Sequence, residues 1–298
     1  MKLLVTGAAG QVGWELRRSL LPLGEVVALD RNACDLGRPE SLASVVEAVA
    51  PDVVVNAAAY TAVDRAETEE ALATRINGLA VGELGRAARR FGALMIHYST
   101  DYVFAGHGQI PWTEGSAVGP LNAYGRSKLA GELALAESGA DALTLRTSWV
   151  YAARGRNFFL TMLRLAQERE ELRVVADQFG APTWARNIAD ATALIVVQAM
   201  AERRKGVFRS EVLHLASGGV TTWHGFAAAL IDGARRLRPD LTFMAQRIVP
   251  ISTADYPVPA ARPANSRLTG SALRSRYGLA LPAWEVAMAR CIEEWAAL

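Results

Sequence analysis

Short, nearly unbroken apolar runs recur along the first half of the chain, at Lys2–Thr6, Glu25–Leu29, Asp52–Asn56, Leu94–Ser99 and Ala142–Arg146. A strand covered on both faces needs no polar alternation, so these runs predict five buried strands. Between them the period changes. Val12, Leu16, Leu20 and Leu21 recur at helical spacing, as do Leu42, Val45, Val46 and Val49. Pro22 and Gly24 stop the first helix. Helices are also expected over Val81 to Arg90 and Leu121 to Glu137. Strands and helices in this alternation predict an α/β fold with a doubly wound, Rossmann-type parallel sheet, since right-handed crossovers place helices on both faces.

Beyond about residue 151 the rhythm loosens. Proline and glycine cluster at Gly180-Ala181-Pro182 and Tyr256-Pro257-Val258-Pro259, with helices expected over Phe158–Glu170 and Asn187–Met200. The organisation expected is a dinucleotide-binding domain over residues 1–150 and a smaller substrate-binding lobe over 151–298, parts of which can return to the sheet.

A formal net charge of +2 and a hydrophobic fraction of 51% give no sign of a nucleic-acid partner. Arg203-Arg204-Lys205 and Arg235-Arg236 are short enough to be solvated helix faces. Cys34 and Cys291 have neither metal-ligand nor redox-pair spacing and read as reduced thiols. No apolar run approaches the roughly 18 residues of a membrane helix. The apolar start is broken by Gly7, Gly10, Gln11 and Glu15 before a leader core could form. The expectation is a cytoplasmic protein with no membrane partner.

The chemistry-bearing residues fall just after the predicted strands, where ligands of such sheets bind. Gly7, Gly10 and Gly13 follow the first strand at intervals of three. They allow a tight turn, close approach of backbone to a pyrophosphate and close packing of strand on helix. The helix opening at Gln11 and Val12 offers free N–H groups to phosphate. Asp30 closes the second strand, 23 positions after Gly7, where a carboxylate can accept from ribose hydroxyls. Arg31 beside it could instead meet a 2′-phosphate, which leaves NADH and NADPH both open. Tyr124 and Lys128, four apart on one helix face, bring a phenol within reach of an ammonium, which would lower its pKa and ready it as a proton donor. Thr100, ending the fourth strand, could hold the same carbonyl oxygen.

The glycine pattern, Tyr124-Gly125-Arg126-Ser127-Lys128 and Ser99-Thr100-Asp101-Tyr102-Val103-Phe104 together resemble the extended short-chain dehydrogenase/reductases. Within them the chain is similar over nearly its whole length to the dTDP-4-dehydrorhamnose reductase family. That likeness runs through Gly10 to Leu16, Asn56 to Asp64, Arg146 to Tyr151, Asp177 to Thr183 and Arg262 to Leu268. The resemblance implies NADPH- or NADH-dependent reduction of the 4-keto group of dTDP-4-dehydro-L-rhamnose, a step of nucleotide-sugar and cell-surface polysaccharide synthesis. It implies cofactor contacts from Gly10, Gln11, Val12, Asp30, Asp35, Leu36, Ala57, Ala58, Ala59, Asn77, Tyr98, Tyr124 and Lys128. Thr100, Asp101, Tyr102, Tyr124 and Trp149 would meet the sugar. Gln178, Pro182, Arg262 and Asn265 would line the nucleotide part, with Arg262 and Arg267 as candidate partners of the diphosphate.

Two alternatives stand beside this. A sugar-nucleotide epimerase or dehydratase uses the same Tyr/Lys pair, but the dehydratases add an Asp-Glu pair after the threonine, and here Tyr102 follows Asp101. A non-catalytic NAD(P)-binding regulatory subunit would have no need of Thr100, Tyr124 and Lys128 together. Some members of the resembled family join as homodimers around a divalent cation. Glu15 and Glu294 match two of the acidic positions, but the third falls on Arg186, so no metal is expected here and a homodimer is left open.

Overall fold

The computed structural model describes residues 1–298. Its chain begins β1 (Lys2–Thr6), α1 (Gln11–Ser19), β2 (Glu25–Leu29), α2 (Leu42–Val49), β3 (Val53–Asn56). Two short helices follow, α3 (Val63–Ala66) and α4 (Glu70–Thr74), then a π-helical turn over Arg75–Leu79 that runs into α5 (Ala80–Arg90). Next come β4 (Leu94–Thr100), α6 (Ala123–Glu137) and β5 (Ala142–Thr147). The helix expected from Leu121 starts two residues later because the Asn122 side chain caps it, accepting from the Gly125 N–H at 2.8 Å.

The second half carries β6 (Val150–Tyr151), α7 (Phe158–Glu168), β7 (Glu171–Val175), β8 (Phe179–Gly180), β9 (Thr183–Trp184) and α8 (Ala185–Arg204). It continues with β10 (Glu211–His214), β11 (Thr221–Thr222), α9 (Trp223–Leu237), β12 (Arg247–Ile251), α10 (Ser271–Tyr277) and α11 (Trp284–Ala296). β10 pairs parallel with β5, and the six-stranded sheet has the order β10-β5-β4-β3-β1-β2 with every pair parallel. The order reverses at β1, which opens a crevice past the carboxyl ends of β1 and β3.

Both sheet faces are buried, as the unbroken apolar runs require. Leu3, Val5, Val53, Val55, Leu94 and Ile96 pack with α1 and α8 on one face. Leu4, Val54 and Met95 pack with α2 and α5 on the other. So α8, β10 and α10, all beyond residue 151, complete the nucleotide-binding half of the molecule. A separate apolar core of Tyr151, Phe159, Leu163, Leu172, Trp184, Phe226, Trp284 and Ile292 holds α7, α9 and α11 together as the second lobe. Both cysteines are free and buried.

Candidate active site

The crevice is a cleft of about 620 Å³ lined from both halves of the chain. Its floor is the glycine turn. Gly7 has φ +72°, and a Cβ there would lie 2.6 Å from the Ala58 nitrogen; one on Gly13 would lie 2.1 Å from the Gly7 oxygen. These two contacts explain why only glycine fits at each. Gly10 precedes α1 with no side-chain cap, so the first N–H groups of that helix are left for a ligand. Gly7, Gly10, Gln11, Val12, Arg31, Asp35, Leu36, Ala57, Ala58, Ala59, Tyr98, Tyr124 and Lys128 all line the cleft.

Three residues of the expected cofactor set do not. Gly13 works behind the turn, by packing. Asp30 uses its Oδ1 on its own turn, accepting from the N–H of Asn32 at 2.9 Å and of Ala33 at 3.2 Å. Asn77, in the π-helical turn, is a buried clip: it accepts from the Tyr60 N–H at 2.8 Å and donates to the Tyr60 carbonyl and the Ser127 hydroxyl, each at 2.9 Å. It shapes the wall without facing the cleft. Arg31 is 77% exposed at the rim and loosely paired with Asp35 at 3.4 Å. Arg156, which local sequence gives no reason to single out, adds a second exposed cation to the lining because the turn after β6 folds back over the cleft.

Thr100 closes β4, next to Ser99 of the cleft lining, and Tyr124 and Lys128 line the cleft from α6. The Thr100 hydroxyl donates to Asp101 at 3.1 Å and accepts from the Tyr102 N–H at 3.2 Å. Burial pushes the Tyr124 phenol up to about 12; the Thr100 hydroxyl opposes that and the Asp101 charge reinforces it. The expectation that Lys128 lowers this pKa is therefore corrected. The Lys128 Nζ turns instead to the Tyr98 carbonyl at 2.6 Å and the His97 ring at 3.3 Å, and burial pulls its pKa down to about 8.

On the sugar side Asp101 is buried, which raises its carboxyl to about 6 against the hydroxyls of Ser266, Thr100 and Ser148. Tyr102 meets Tyr124 edge-on, with ring centres 5.5 Å apart. Trp149, held at φ +48°, stacks on Trp223 at 3.7 Å and covers Gly180. Strain of this kind persists where the surrounding packing enforces it, commonly at a site.

The residues expected at the nucleotide end lie outside this cleft and are occupied with the protein's own groups. Gln178 accepts from the Trp223 indole at 3.1 Å and donates to Thr253 at 3.0 Å. Arg262 pairs with Asp64 at 2.7 Å. Asn265 donates to the Ile110 carbonyl at 2.9 Å and accepts from Arg267 at 2.8 Å, tying down the loop after β4. Pro182 is buried between β8 and β9.

At the acidic positions, Arg186 lies 3.1 Å from Glu15 and 3.1 Å from Glu294. Arg18 and Arg154 add second pairings at 3.5 Å. The donor set does not fit a divalent cation, because a guanidinium fills the space between the carboxylates.

Comparison with known proteins agrees with this geometry. The family model described as RmlD substrate binding domain matches residues 1–297. The dTDP-4-dehydrorhamnose reductase of Burkholderia thailandensis is 58% identical over 294 residues, covering 99% of each chain. That of Salmonella typhimurium is 47% identical over 301 residues, covering 99% of this chain and 98% of its own. Among solved structures, the dTDP-4-dehydrorhamnose reductase of Bacillus anthracis in complex with NADP superposes with TM-score 0.86 at 32% identity, over 98% of this chain and 99% of that one. A UDP-glucose 4-epimerase of Thermus thermophilus with NAD, at 19% identity and TM-score 0.79, shares the fold. With a family match along the whole chain and relatives this similar over their full lengths, the chain belongs to the RmlD substrate binding domain family, alongside the dTDP-4-dehydrorhamnose reductases.

Proposed function

We propose that this chain reduces the 4-keto group of dTDP-4-dehydro-L-rhamnose, using NADPH or NADH, to give dTDP-L-rhamnose. The observation that carries the reading is one cleft holding a glycine turn against a helix start at one end and Tyr124 and Lys128 at the other, with the Thr100 hydroxyl beside the Tyr124 phenol. The names borne by the relatives support a nucleotide-sugar substrate, and the NADP of the Bacillus anthracis structure supports a dinucleotide at the glycine turn.

The residues divide the work as follows. The bound nicotinamide supplies the hydride, and the protein supplies position and electrostatics. N–H groups at the start of α1 hold the cofactor's diphosphate, with Arg156 as a further cation, and Arg31 meets the 2′-phosphate of NADPH. Lys128 fixes the ribose. Thr100 orients the keto oxygen, Tyr124 gives its proton to the forming alkoxide, and Asp101 holds a sugar hydroxyl. Tyr102 and Trp149 form the sugar's walls. Residues 1–150 make up most of the nucleotide half, and the second lobe, with Gln178, Pro182, Arg262 and Asn265 framing it, receives the dTDP part. The protein works in the cytoplasm, as a single chain or a homodimer closed by Arg–Glu contacts rather than metal.

The test is cofactor stoichiometry with a dTDP-4-keto-6-deoxy sugar. One reduced nicotinamide consumed per product supports the reductase. Product formed with no net oxidation would identify an epimerase or dehydratase instead.

A further inference from the structure

A buried polar row crosses the sheet at the carboxyl ends of β1 and β3. Parallel pairing sets Thr6 beside Asn56, and Asn56 beside His97. In parallel strands such partners share a face, so three polar side chains meet in a line where apolar ones would otherwise pack. Thr6 and His97 are 0% exposed, Asn56 1% and Lys128 2%. Nothing in the proposed reduction uses Thr6, Asn56 or His97.

The hydrogen bonds assign every proton in the row. The Asn56 Oδ1 accepts from the Ala58 N–H at 3.2 Å and from the Thr6 hydroxyl at 2.7 Å. Its Nδ2 therefore points the other way and donates to His97 Nδ1 at 3.1 Å. An imidazole that accepts at Nδ1 and is neutral carries its proton on Nε2. That Nε2–H faces Lys128 Nζ at 3.3 Å. An ammonium has no lone pair to accept it. A neutral amine has one, and can still donate to the Tyr98 carbonyl at 2.6 Å. The row thus makes a hydrogen bond that exists only when Lys128 has lost its proton.

We propose that His97, oriented by Asn56 and Thr6, is a positioning residue that stabilises the neutral amine of Lys128 and so makes Lys128 a proton donor within reach of physiological pH. The role follows from the reduction. When Tyr124 has given its proton to the sugar oxygen, the phenolate must be recharged. Both side chains line the cleft, so a proton lost by Lys128 Nζ ends on the Tyr124 oxygen by way of the cleft, one N–H bond breaking as one O–H bond forms. The amine left behind accepts from His97 Nε2–H and is reprotonated from solvent. Other groups around Lys128 do not offer this. Glu132, one turn along α6, favours the ammonium but is itself locked to Arg146 at 2.6 Å. The Tyr98 hydroxyl is turned away to Thr192 at 2.8 Å. Asp101 and Tyr102 face Tyr124. Burial and the neighbouring Lys128 charge hold His97 neutral, which keeps the row in the assigned state.

This inference rests on the reductase reading only for its purpose; its structural core is tested without turnover. Long-range proton–nitrogen NMR on the full chain labelled at its four histidines distinguishes the two tautomers, with His97 identified by its loss in His97→Gln. The expected result is a neutral ring protonated at Nε2 from pH 6 to 9. A ring protonated at Nδ1, or an imidazolium, overturns the proposal. Asn56→Asp then reverses the row while keeping its shape. A carboxylate accepts from Nδ1–H, so the Nε2 lone pair faces Lys128 and favours the ammonium. The tautomer should switch, and the alkaline limb of the kcat profile should move up by about one pH unit. A switched tautomer with an unmoved profile contradicts the coupling to Lys128. If Asn56→Asp yields no folded protein, His97→Gln carries the same pH test, since its amide can turn an oxygen to the ammonium. Absence of turnover with a 4-keto sugar would sink the reductase reading and leave the tautomer result standing.

Discussion

Replacing Arg186 by Met removes one charge and keeps most of the aliphatic stem. Arg186 is the shared partner of Glu15, 3% exposed, and Glu294, 12% exposed, at 3.1 Å from each. Truncating one member of a buried ion pair costs about 3–5 kcal/mol, mostly from the stranded partner. Two features reduce that here. The guanidinium is itself 32% exposed, and Arg18 and Arg154 remain 3.5 Å from the two carboxylates. The expected loss is about 1–3 kcal/mol, a fall in Tm of roughly 2–5 °C. Denaturant melts of the wild type and Arg186→Met, each in EDTA and in Mg²⁺, measure it. The wild type should melt alike in both. Arg186→Glu, which gathers three carboxylates, should melt lowest in EDTA and recover in millimolar Mg²⁺, a hard cation suited to oxygen ligands. A wild type that loses stability or activity in EDTA would refute the reasoning, as would Arg186→Met melting within 0.5 kcal/mol of it, the span of a neutral surface change.

Tyr124→Phe should lower kcat by about 100-fold or more, the usual weight of a general acid, while cofactor titration by fluorescence is unchanged; near-normal turnover would remove Tyr124 from the chemistry. Arg31→Ala should weaken NADPH selectively and leave NADH, with the wild type using both within about tenfold, a difference of about 1.4 kcal/mol; equal loss for both would place Arg31 away from the 2′-phosphate. Asp101 has its folded pKa raised from 3.8 to about 6, so the folded state binds the extra proton between those values and stability falls as pH rises through that window. Asp101→Asn should therefore be more stable than the wild type at pH 7, by up to about 3 kcal/mol, with the gain fading by pH 4 and with KM for the sugar raised; a variant less stable at pH 7 contradicts the burial argument.

The sheet and the glycine turn were legible because their signals are local. Leu3, Leu4 and Val5 read as buried on both faces, and Gly7 and Gly13 sit where a Cβ has no room. The triad was legible through i,i+4 spacing on one helix and a strand end. What the sequence could not disclose is where polar groups spend their hydrogen bonds. Asp30 and Asn77 stand at cofactor positions in the linear reading, yet Asp30 satisfies its own turn and Asn77 clips Tyr60. Lys128 shares a face with Tyr124, but its Nζ answers to the Tyr98 carbonyl and to His97, contributed by β4. His97 drew no notice because a lone histidine in an apolar strand reads as core; the Thr6–Asn56–His97 row appears only when three strands are set in register. Likewise β10 and α8, far along the chain, complete the first half of the fold through long-range pairing that no local pattern encodes.

Purified protein mixed with NADPH and dTDP-4-dehydro-L-rhamnose, with absorbance and product followed together, reports whether this chain is a reductase. One cofactor oxidised for each dTDP-L-rhamnose formed is the result expected. Product without cofactor oxidation, or neither with a folded, cofactor-binding protein, would contradict the account.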